Sequence, residues 1–367
     1  MVNNKTIFAG IYEGKNVLIT GHTGFKGSWL AMWLESMGAN VFTYALKNSE
    51  LHHFQLLNLK VNQKIADIRD LETLTNYFAE VQPEIIFHLA AQALVKYSYD
   101  NPIETYSTNV MGTLNIFEAA RETKSVKAII NVTSDKCYHN SEWIWGYREN
   151  DPLGGHDPYS ASKGCSEILT SSYRNSFFNP EKYKETHQVL MASARAGNVI
   201  GGGDWAADRL IPDIVRATSN NEKVKIRNPK ATRPWQHVLE PLSAYLTLGW
   251  KLLEENREFA EAWNFGPEMN SNLPVEDILT IAKKHWNTVD IEYSKDKDDH
   301  HEANLLMLDC SKSNKILKWK SVWNIDTTIE KTINWYKEYY INGKVMSFSD
   351  LNDYISDAKK AELIWTL

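Results

Sequence analysis

The stretch 16–34, NVLITGHTGFKGSWLAMWL, decides the fold. A short run rich in branched apolar side chains passes directly into a turn carrying Gly21, Gly24 and Gly27, and an apolar pattern of helical period follows. A strand feeding a GxxGxxG turn that opens a helix reads as a dinucleotide-binding turn. The glycines permit a tight reversal, close approach of the backbone to a pyrophosphate, and close helix-to-strand packing, while the helix N-terminus favours negative charge. His22, Thr23, Phe25 and Lys26 lie on the same turn and are expected to touch the cofactor. A turn with a purely structural role is the alternative, but three glycines at this spacing between a strand and a helix seldom arise by chance.

Downstream, apolar runs at 40–45 (NVFTYA), 64–67 (KIAD), 84–90 (EIIFHLA), 127–134 (KAIINVTS) and 188–194 (QVLMASA) alternate with amphipathic stretches. That order predicts an α/β fold, a doubly wound parallel sheet of the Rossmann kind with helices on both faces. After about residue 195 glycine and proline punctuation takes over (AGNVIGGGDWAADRLIPDI), followed by a short basic strand, KVKIR, and an amphipathic helix, PLSAYLTLGWKLLEEN. The reading is a dinucleotide-binding domain over 1–194, with 237–266 returning to it because WNFGP (263–267) reads as a buried strand. Residues 195–236 and 267–367 form a smaller C-terminal substrate domain. In it SKDKDDHHEAN (294–304) is a loop before a strand, LLMLD, and two or three helices finish the chain.

With 367 residues, 43% of them hydrophobic, the chain can bury a full core, which excludes intrinsic disorder. A balance of 40 basic against 46 acidic side chains, net −6, offers no basic excess for nucleic acid. No uncharged apolar run approaches the roughly 20 residues of a membrane span. MVNNKTIFAGIYEGK lacks the apolar core of a secretion signal, so a cytoplasmic protein is expected. Cys137, Cys165 and Cys310 stand too far apart for a disulfide framework or paired zinc ligands, which fits a reducing compartment. The pairs His52/His53 and His300/His301 lack the i, i+4 spacing that aims two imidazoles at one ion, and no metal is expected.

A dinucleotide site usually ends its second strand with a carboxylate for the adenosine ribose. Here that strand ends YALKNSE. Ala45 and Leu46 supply no carboxylate, and Lys47 could receive a 2′-phosphate, so NAD and NADP are both open at this point. Asp67, with Ile68 beside it in DIRD, reads either as an adenine contact or as the N-cap of a helix beginning near Asp70.

In HDPYSASKGCSEIL, Asp157 reads as an N-cap and Pro158 as the first helical residue, which puts Tyr159 and Lys163 four apart on one helix face. An ammonium there favours a phenolate and is expected to lower the tyrosine toward neutral pH. That suits a base taking a proton from a hydroxyl as hydride leaves its carbon. The spacing alone is weak, since Tyr293 and Lys297 share it in a charged loop. Position gives it weight: it follows the fifth strand, which ends NVTSDKCY and sets Ser134, Asp135 and Lys136 at the carboxyl edge of the sheet, where ligands bind. A surface turn is the alternative reading of those three.

From Gly14 to about Tyr340 the chain resembles the extended short-chain dehydrogenase/reductase family, and within it the CDP-glucose branch of the nucleotide-sugar 4,6-dehydratases. The marks are GKNVLITGHTGFKGSWL, HLAAQ, TNVMGT, VTSDKCY, YSASKG, RAGNVIGGGDWAADRLIPD, RPWQHVLEPL and WNFGP. The resemblance implies a tetrad of Asn109, Ser134, Tyr159 and Lys163. It also implies NAD, rather than NADP, in the glycine turn, with Leu89, Ala90 and Ala91 beside it. Better-known sugar-nucleotide dehydratases carry an Asp-Glu pair after the Ser/Thr. Here the pair is Asp135 and Lys136, as is characteristic of the CDP-glucose branch, which implies Asp135 as acid and Lys136 as base, with the division between them open. Gln92, Asn198, Arg209, Leu210, Arg233 and His237 are implied contacts to CDP-glucose. Arginine forks suit a diphosphate better than lysine does, and surface salt bridges are their alternative. His301 and Glu302 match a further family segment without an assigned role. A homodimer is implied as well, and the activity implied is loss of water across C5 and C6 with an internally recycled NAD. A nucleotide-sugar 4-epimerase using the same tetrad and a non-catalytic dinucleotide-binding scaffold are the alternatives.

Overall fold

The computed structural model describes residues 4–48, 50–226, 228–267, 271–293 and 305–367. Seven strands form one all-parallel sheet: β1 (Asn16–Thr20), β2 (Asn40–Ala45), β3 (Asn62–Ile65), β4 (Ile85–His88), β5 (Ala128–Val132), β6 (Leu190–Ala196) and, late in the chain, β11 (Ala262–Phe265). Their order across the sheet is β11-β6-β5-β4-β1-β2-β3. The chain therefore reverses direction between β1 and β4, the point at which such sheets open a crevice for ligands at their carboxyl ends. Three short pairs lie outside the sheet: β7 (Val199–Ile200) with β10 (Gln236–His237), β9 (Thr232–Pro234) with β12 (Asn272–Pro274), and β8 (Val224–Ile226) with β13 (Ile291–Tyr293).

The helices are α1 (Phe25–Ser36), α2 (His53–Leu57), α3 (Leu71–Val81), α4 (Val95–Asp100), α5 (Pro102–Tyr106), α6 (Thr113–Glu122), α7 (Pro158–Ser176), α8 (Leu210–Ser219), α9 (Leu239–Leu253), α10 (Val275–His285), α11 (Ile325–Asn342) and α12 (Ser347–Lys360). Side-chain alternation sends each strand into two cores. Val17, Ile19, Ile85, Phe87 and Ile130 meet α1, α9, α11 and α12 on one face, and Leu18, Ile86, Ile129 and Met191 meet α3, α6 and α7 on the other. None of the described helices is long and apolar enough to cross a membrane.

The return of WNFGP to the sheet occurs as its apolar run predicts, with Trp263 opposite Ala194. Two local expectations are corrected. The KIAD run begins its strand at Asn62, because Phe42 to Ala45 of β2 pair with Asn62 to Ile65. The LLMLD strand reduces to one isolated bridge between Leu308 and Tyr147, with the Leu305 and Asp309 carbonyls taken by the side-chain amides of Asn140 and Asn264 rather than by a second strand. The expected loop 294–304, with Lys297, His300, His301 and Glu302, lies outside the described residues.

The last turns pack where the chain starts. Trp365 stacks on Phe8 with ring centroids 5.1 Å apart, lies parallel to Tyr354 at 6.0 Å, and meets the edge of Trp33 from α1 at 5.8 Å. All four rings are buried. Trp365→Ala should therefore cost about 3–5 kcal/mol of stability, the range for deleting a buried large aromatic ring. In urea unfolding the midpoint should fall while the slope stays at the wild-type value.

Candidate active site

The cofactor half is built at the reversal point. Gly21 has φ +79°, in the left-handed region, and a Cβ there would lie 2.7 Å from the Ala90 nitrogen. A Cβ on Gly27 would overlap the Gly21 carbonyl. The turn thus fits only without side chains, which leaves a cradle of bare backbone. Gly24 is the N-cap of α1, with no side-chain cap and no acidic residue in the first turn, so the helix presents its amides uncompensated to an anion. Thr20 draws in the far wall by accepting from the Leu89 and Ala90 amides at 3.2 Å, and its hydroxyl pairs with His88 at 2.7 Å. Burial pushes His88 down to about 3, so its ring is neutral. These features fit a dinucleotide diphosphate.

Other expected cofactor residues surround the turn. His22 is buried edge-on to Phe54 at 4.7 Å and is pushed down to about 4, mainly by burial. Asp67 does not cap α3; Asp70 does, accepting from the Thr73 amide at 3.1 Å, while the Asp67 carboxylate is forked with Arg69 and held low by that hydrogen bond. Ile68 is buried beneath Gly112. Lys26 points into the crevice, where burial lowers it to about 8 against Arg209 and Lys163 as repelling neighbours and Asp135 as the attracting one.

The chemical half lies where β5 ends. Ser134 caps a short turn, Asp135–Cys137, accepting from the Lys136 amide at 3.2 Å and donating to the Asp135 carboxyl at 2.9 Å. Asp135 is buried, and that burial raises its pKa against the pull of Lys136, Ser134, Lys26 and Arg233. Its carboxyl faces Gly197, where a Cβ would collide with it. From α7, whose N-cap is Asp157 as the sequence indicates, Tyr159 brings its phenol to Ser134.

The expected acidification of Tyr159 by Lys163 does not hold in this arrangement. The phenol is pushed up to about 12 by burial, with Asp135 and Asp157 adding to the rise and Ser134 and Arg209 opposing it. Lys163 instead donates to the Val132 carbonyl at 3.4 Å and is lowered by burial to about 8, with Glu167 and Cys137 opposing that fall.

Asn109 is buried in a π-helical turn, Ser107–Gly112, and spends its amide on the Gln92 backbone (2.8 and 2.9 Å) and on Ser162 (2.8 Å). It therefore positions α7 against the loop after β4. Gln92 folds its own side chain back onto Leu94 and Thr105. Arg209, N-cap of α8 beside Leu210, pairs with Asp204 at 2.9 Å and acts electrostatically on Tyr159 and Lys26. Arg233 on β9 reaches Asp135 in the same way. Asn198 lies half-buried at the rim, its carbonyl accepting from Gln236. His237 is not brought to the crevice: its ring sits in the core between Trp29 and Trp323.

Sequence reasoning missed the ion pair beneath the site. Glu167 of α7 meets Arg195 of β6 at 2.8 Å, both almost fully buried, and also accepts from Thr133 (2.5 Å) and Ser193 (2.7 Å). Arg195 donates onward to the Tyr138 hydroxyl and the Glu149 carbonyl. The available signal was a glutamate one helical turn after Lys163.

A family model described as GDP-mannose 4,6 dehydratase matches residues 18–332. The chain is 52% identical over 352 residues to a CDP-glucose 4,6-dehydratase of Salmonella typhimurium, covering 94% of this chain and 97% of the relative. A dTDP-D-glucose 4,6-dehydratase of Dictyostelium discoideum is 26% identical, covering 92% of this chain and 86% of the relative. Among solved structures, an epimerase from Methanothermobacter thermautotrophicus shares the fold with a TM-score of 0.79 at 24% identity, over 92% of this chain and 97% of the other. The dTDP-glucose 4,6-dehydratase of Bacillus anthracis in complex with NAD gives 0.74 at 19%, over 89% and 97%. On the strength of the matched span and the 52% identity, the chain belongs to the GDP-mannose 4,6 dehydratase family, within the extended short-chain dehydrogenases/reductases.

Proposed function

We propose that the chain is an NAD-dependent lyase that converts CDP-glucose to CDP-4-keto-6-deoxyglucose and water. The observation that carries the reading is Asp135: a buried carboxyl with a raised pKa, hydrogen-bonded to Ser134 and one residue from Lys136, beside the phenol of Tyr159. A 4-epimerase uses the tyrosine but has no need of a buried carboxyl with a raised pKa next to it.

Bound NAD would supply one hydride acceptor and donor, taking hydride from C4 and returning it to C6. Tyr159 takes the C4 hydroxyl proton, its phenolate favoured by the Ser134 hydroxyl and the positive charge of Arg209. Lys136 removes the C5 proton made acidic by the new C4 ketone. Asp135 gives its proton to the departing C6 hydroxyl, and water leaves. C5 is reprotonated after hydride reaches C6, so the two electrons lost at C4 are regained at C6 and no reduced cofactor is released. Arg209 and Arg233 take the diphosphate, with Asn198 and Leu210 lining the nucleotide beside them. The nucleotide sugar lies between the dinucleotide-binding part and the smaller part after residue 195, and the protein works in the cytoplasm, where Cys137, Cys165 and Cys310 remain free thiols.

The proposal includes a homodimer. Ile103 of α5 (85% exposed), Met111 of the Ser107–Gly112 turn (51%) and Ile168 of α7 (59%) are exposed apolar side chains on three elements that pack against one another. The proposed occupant of this surface is a second copy of the chain, which would cover these exposed apolar side chains on and beside the helix that carries Tyr159 and Lys163.

Incubation with CDP-glucose should yield a product with the alkaline ultraviolet absorbance of a 4-keto sugar and no free NADH, and recovery of a C4 epimer with no such absorbance would favour the epimerase. Tyr159→Phe should abolish reduction of bound NAD by substrate. Asp135→Asn should still reduce the cofactor but lose about 10²–10⁴-fold in water loss, the usual contribution of a general acid. Because Asp135 works in its protonated form, and burial holds that form to higher pH, water loss should decline on the alkaline side as the carboxyl ionises. Lys136→Ala should still oxidise C4 while exchanging the C5 hydrogen with deuterated solvent far more slowly, and wild-type exchange would remove it as the base. Ile168→Glu should convert a dimer to a monomer in sedimentation velocity.

A further inference from the structure

The end of β2 carries a feature that the proposed reaction leaves unused. Between the cofactor turn, α2 and β3 lies a cavity of about 310 Å³ that includes Thr23, Lys47, Asn48, His52, Gln55 and Gln63 in its lining. No carboxylate lines it. In a dinucleotide fold the residue about 20 positions beyond the turn reaches the adenosine ribose: an acid there holds the 2′-hydroxyl and repels a phosphate, whereas a cation accepts one. That position is Lys47, and it lies on the rim of the cavity with no hydrogen bond or ion pair to any described residue. Asn48 uses its side-chain oxygen to accept from the Glu50 amide at 3.1 Å, which leaves its NH₂ free to donate. Gln55 and Gln63 add further donors, while the Thr23 hydroxyl donates to the Leu46 carbonyl at 3.5 Å. Such a site gives a ribose hydroxyl no acceptor charge and gives a phosphate a cation with several neutral donors.

We propose that this cavity receives the 2′-phosphate of an adenine dinucleotide, so that the chain accepts NADP alongside NAD. The inference rests on the cofactor reading above, and NAD loses little here because its diphosphate is held by the glycine turn rather than by β2. A phosphomonoester at the ribose 2′ position would sit at the cavity mouth, paired with the Lys47 ammonium, its remaining oxygens meeting the amides of Asn48 and Gln63.

The test is calorimetric titration of the full-length protein with 2′,5′-ADP and with 5′-AMP, alongside NADP and NAD, for the wild type, Lys47→Ala and Lys47→Glu. The expected result is that 2′,5′-ADP binds about 10- to 100-fold tighter than 5′-AMP, as one charge-assisted contact gives. Lys47→Ala should bring that ratio near unity and Lys47→Glu should invert it, with NAD affinity held within about threefold. A wild-type ratio of one or below, or a ratio that neither substitution moves, would overturn the proposal. Because binding is read without turnover, a protein that keeps the ratio but fails to dehydrate CDP-glucose overturns the activity alone, and one that dehydrates it without the ratio overturns this site alone.

Discussion

The contact on which the site depends is the buried ion pair of Glu167 and Arg195. It joins the middle of α7 to β6, and through Thr133 and Ser193 it fixes the same helix to the end of β5 and the middle of the adjacent β6. Tyr159 lies two turns up that helix and Ser134 one residue beyond Thr133, so the spacing between phenol and hydroxyl is inherited from this junction. Arg195 extends the junction to Tyr138, over whose ring its guanidinium lies at 4.9 Å, and to the Glu149 carbonyl. A buried pair of this kind adds little net stability, yet losing one partner strands a charge at a cost of about 3–5 kcal/mol. It holds geometry more than it holds the fold.

Burial acts on the reacting groups in one direction. Asp135 is raised, Lys26 and Lys163 are lowered to about 8, and Tyr159 is pushed up to about 12, each chiefly by desolvation. Every shift favours the neutral form. The crevice without ligands is thus a place where charge is expensive, while two arginines, Arg209 and Arg233, and three lysines, Lys26, Lys136 and Lys163, gather about the Asp135 carboxyl. Diphosphates entering it supply the missing counter-charge, and the protonation states needed for proton transfer are then set jointly by chain and ligands rather than by the chain alone.

Most of the fold was legible because it is written in periodicity. The run NVLIT into three glycines, the inner apolar segments, and even the late strand WNFGP gave their places correctly, since a parallel strand buried on both faces has to be continuously apolar; KIAD did not, because β3 is an edge strand beginning at the polar Asn62 and largely exposed. The failures share a cause. LLMLD has strand composition but only one residue of a partner, and His237 sits in a motif-like stretch yet fills a gap between two tryptophans. Both outcomes depend on tertiary neighbours that no local pattern records. The same holds for the site: spacing brought Tyr159 and Lys163 to one helix, but the acidity of the phenol follows from how deeply it is covered, and the need for Gly197 follows from where the Asp135 carboxyl points. Glu167 was within reach of a reading by helical spacing; Arg195, in a strand that looked only apolar, was not.

The packing of Trp365 on Phe8 and Trp33 has a consequence for biosynthesis. The outer face of α1 is sealed by α12 and the turn after it, which are synthesised after every strand of the sheet, while β11 completes the sheet only after more than two hundred residues have emerged. During translation the nascent dinucleotide-binding layer therefore carries a bare aromatic surface and an open sheet edge for most of its synthesis. Contacts of such sequence separation close slowly and leave apolar surface exposed in the meantime. Demand for chaperone capture should accordingly fall on the N-terminal half of the nascent chain, long before the residues that relieve it exist.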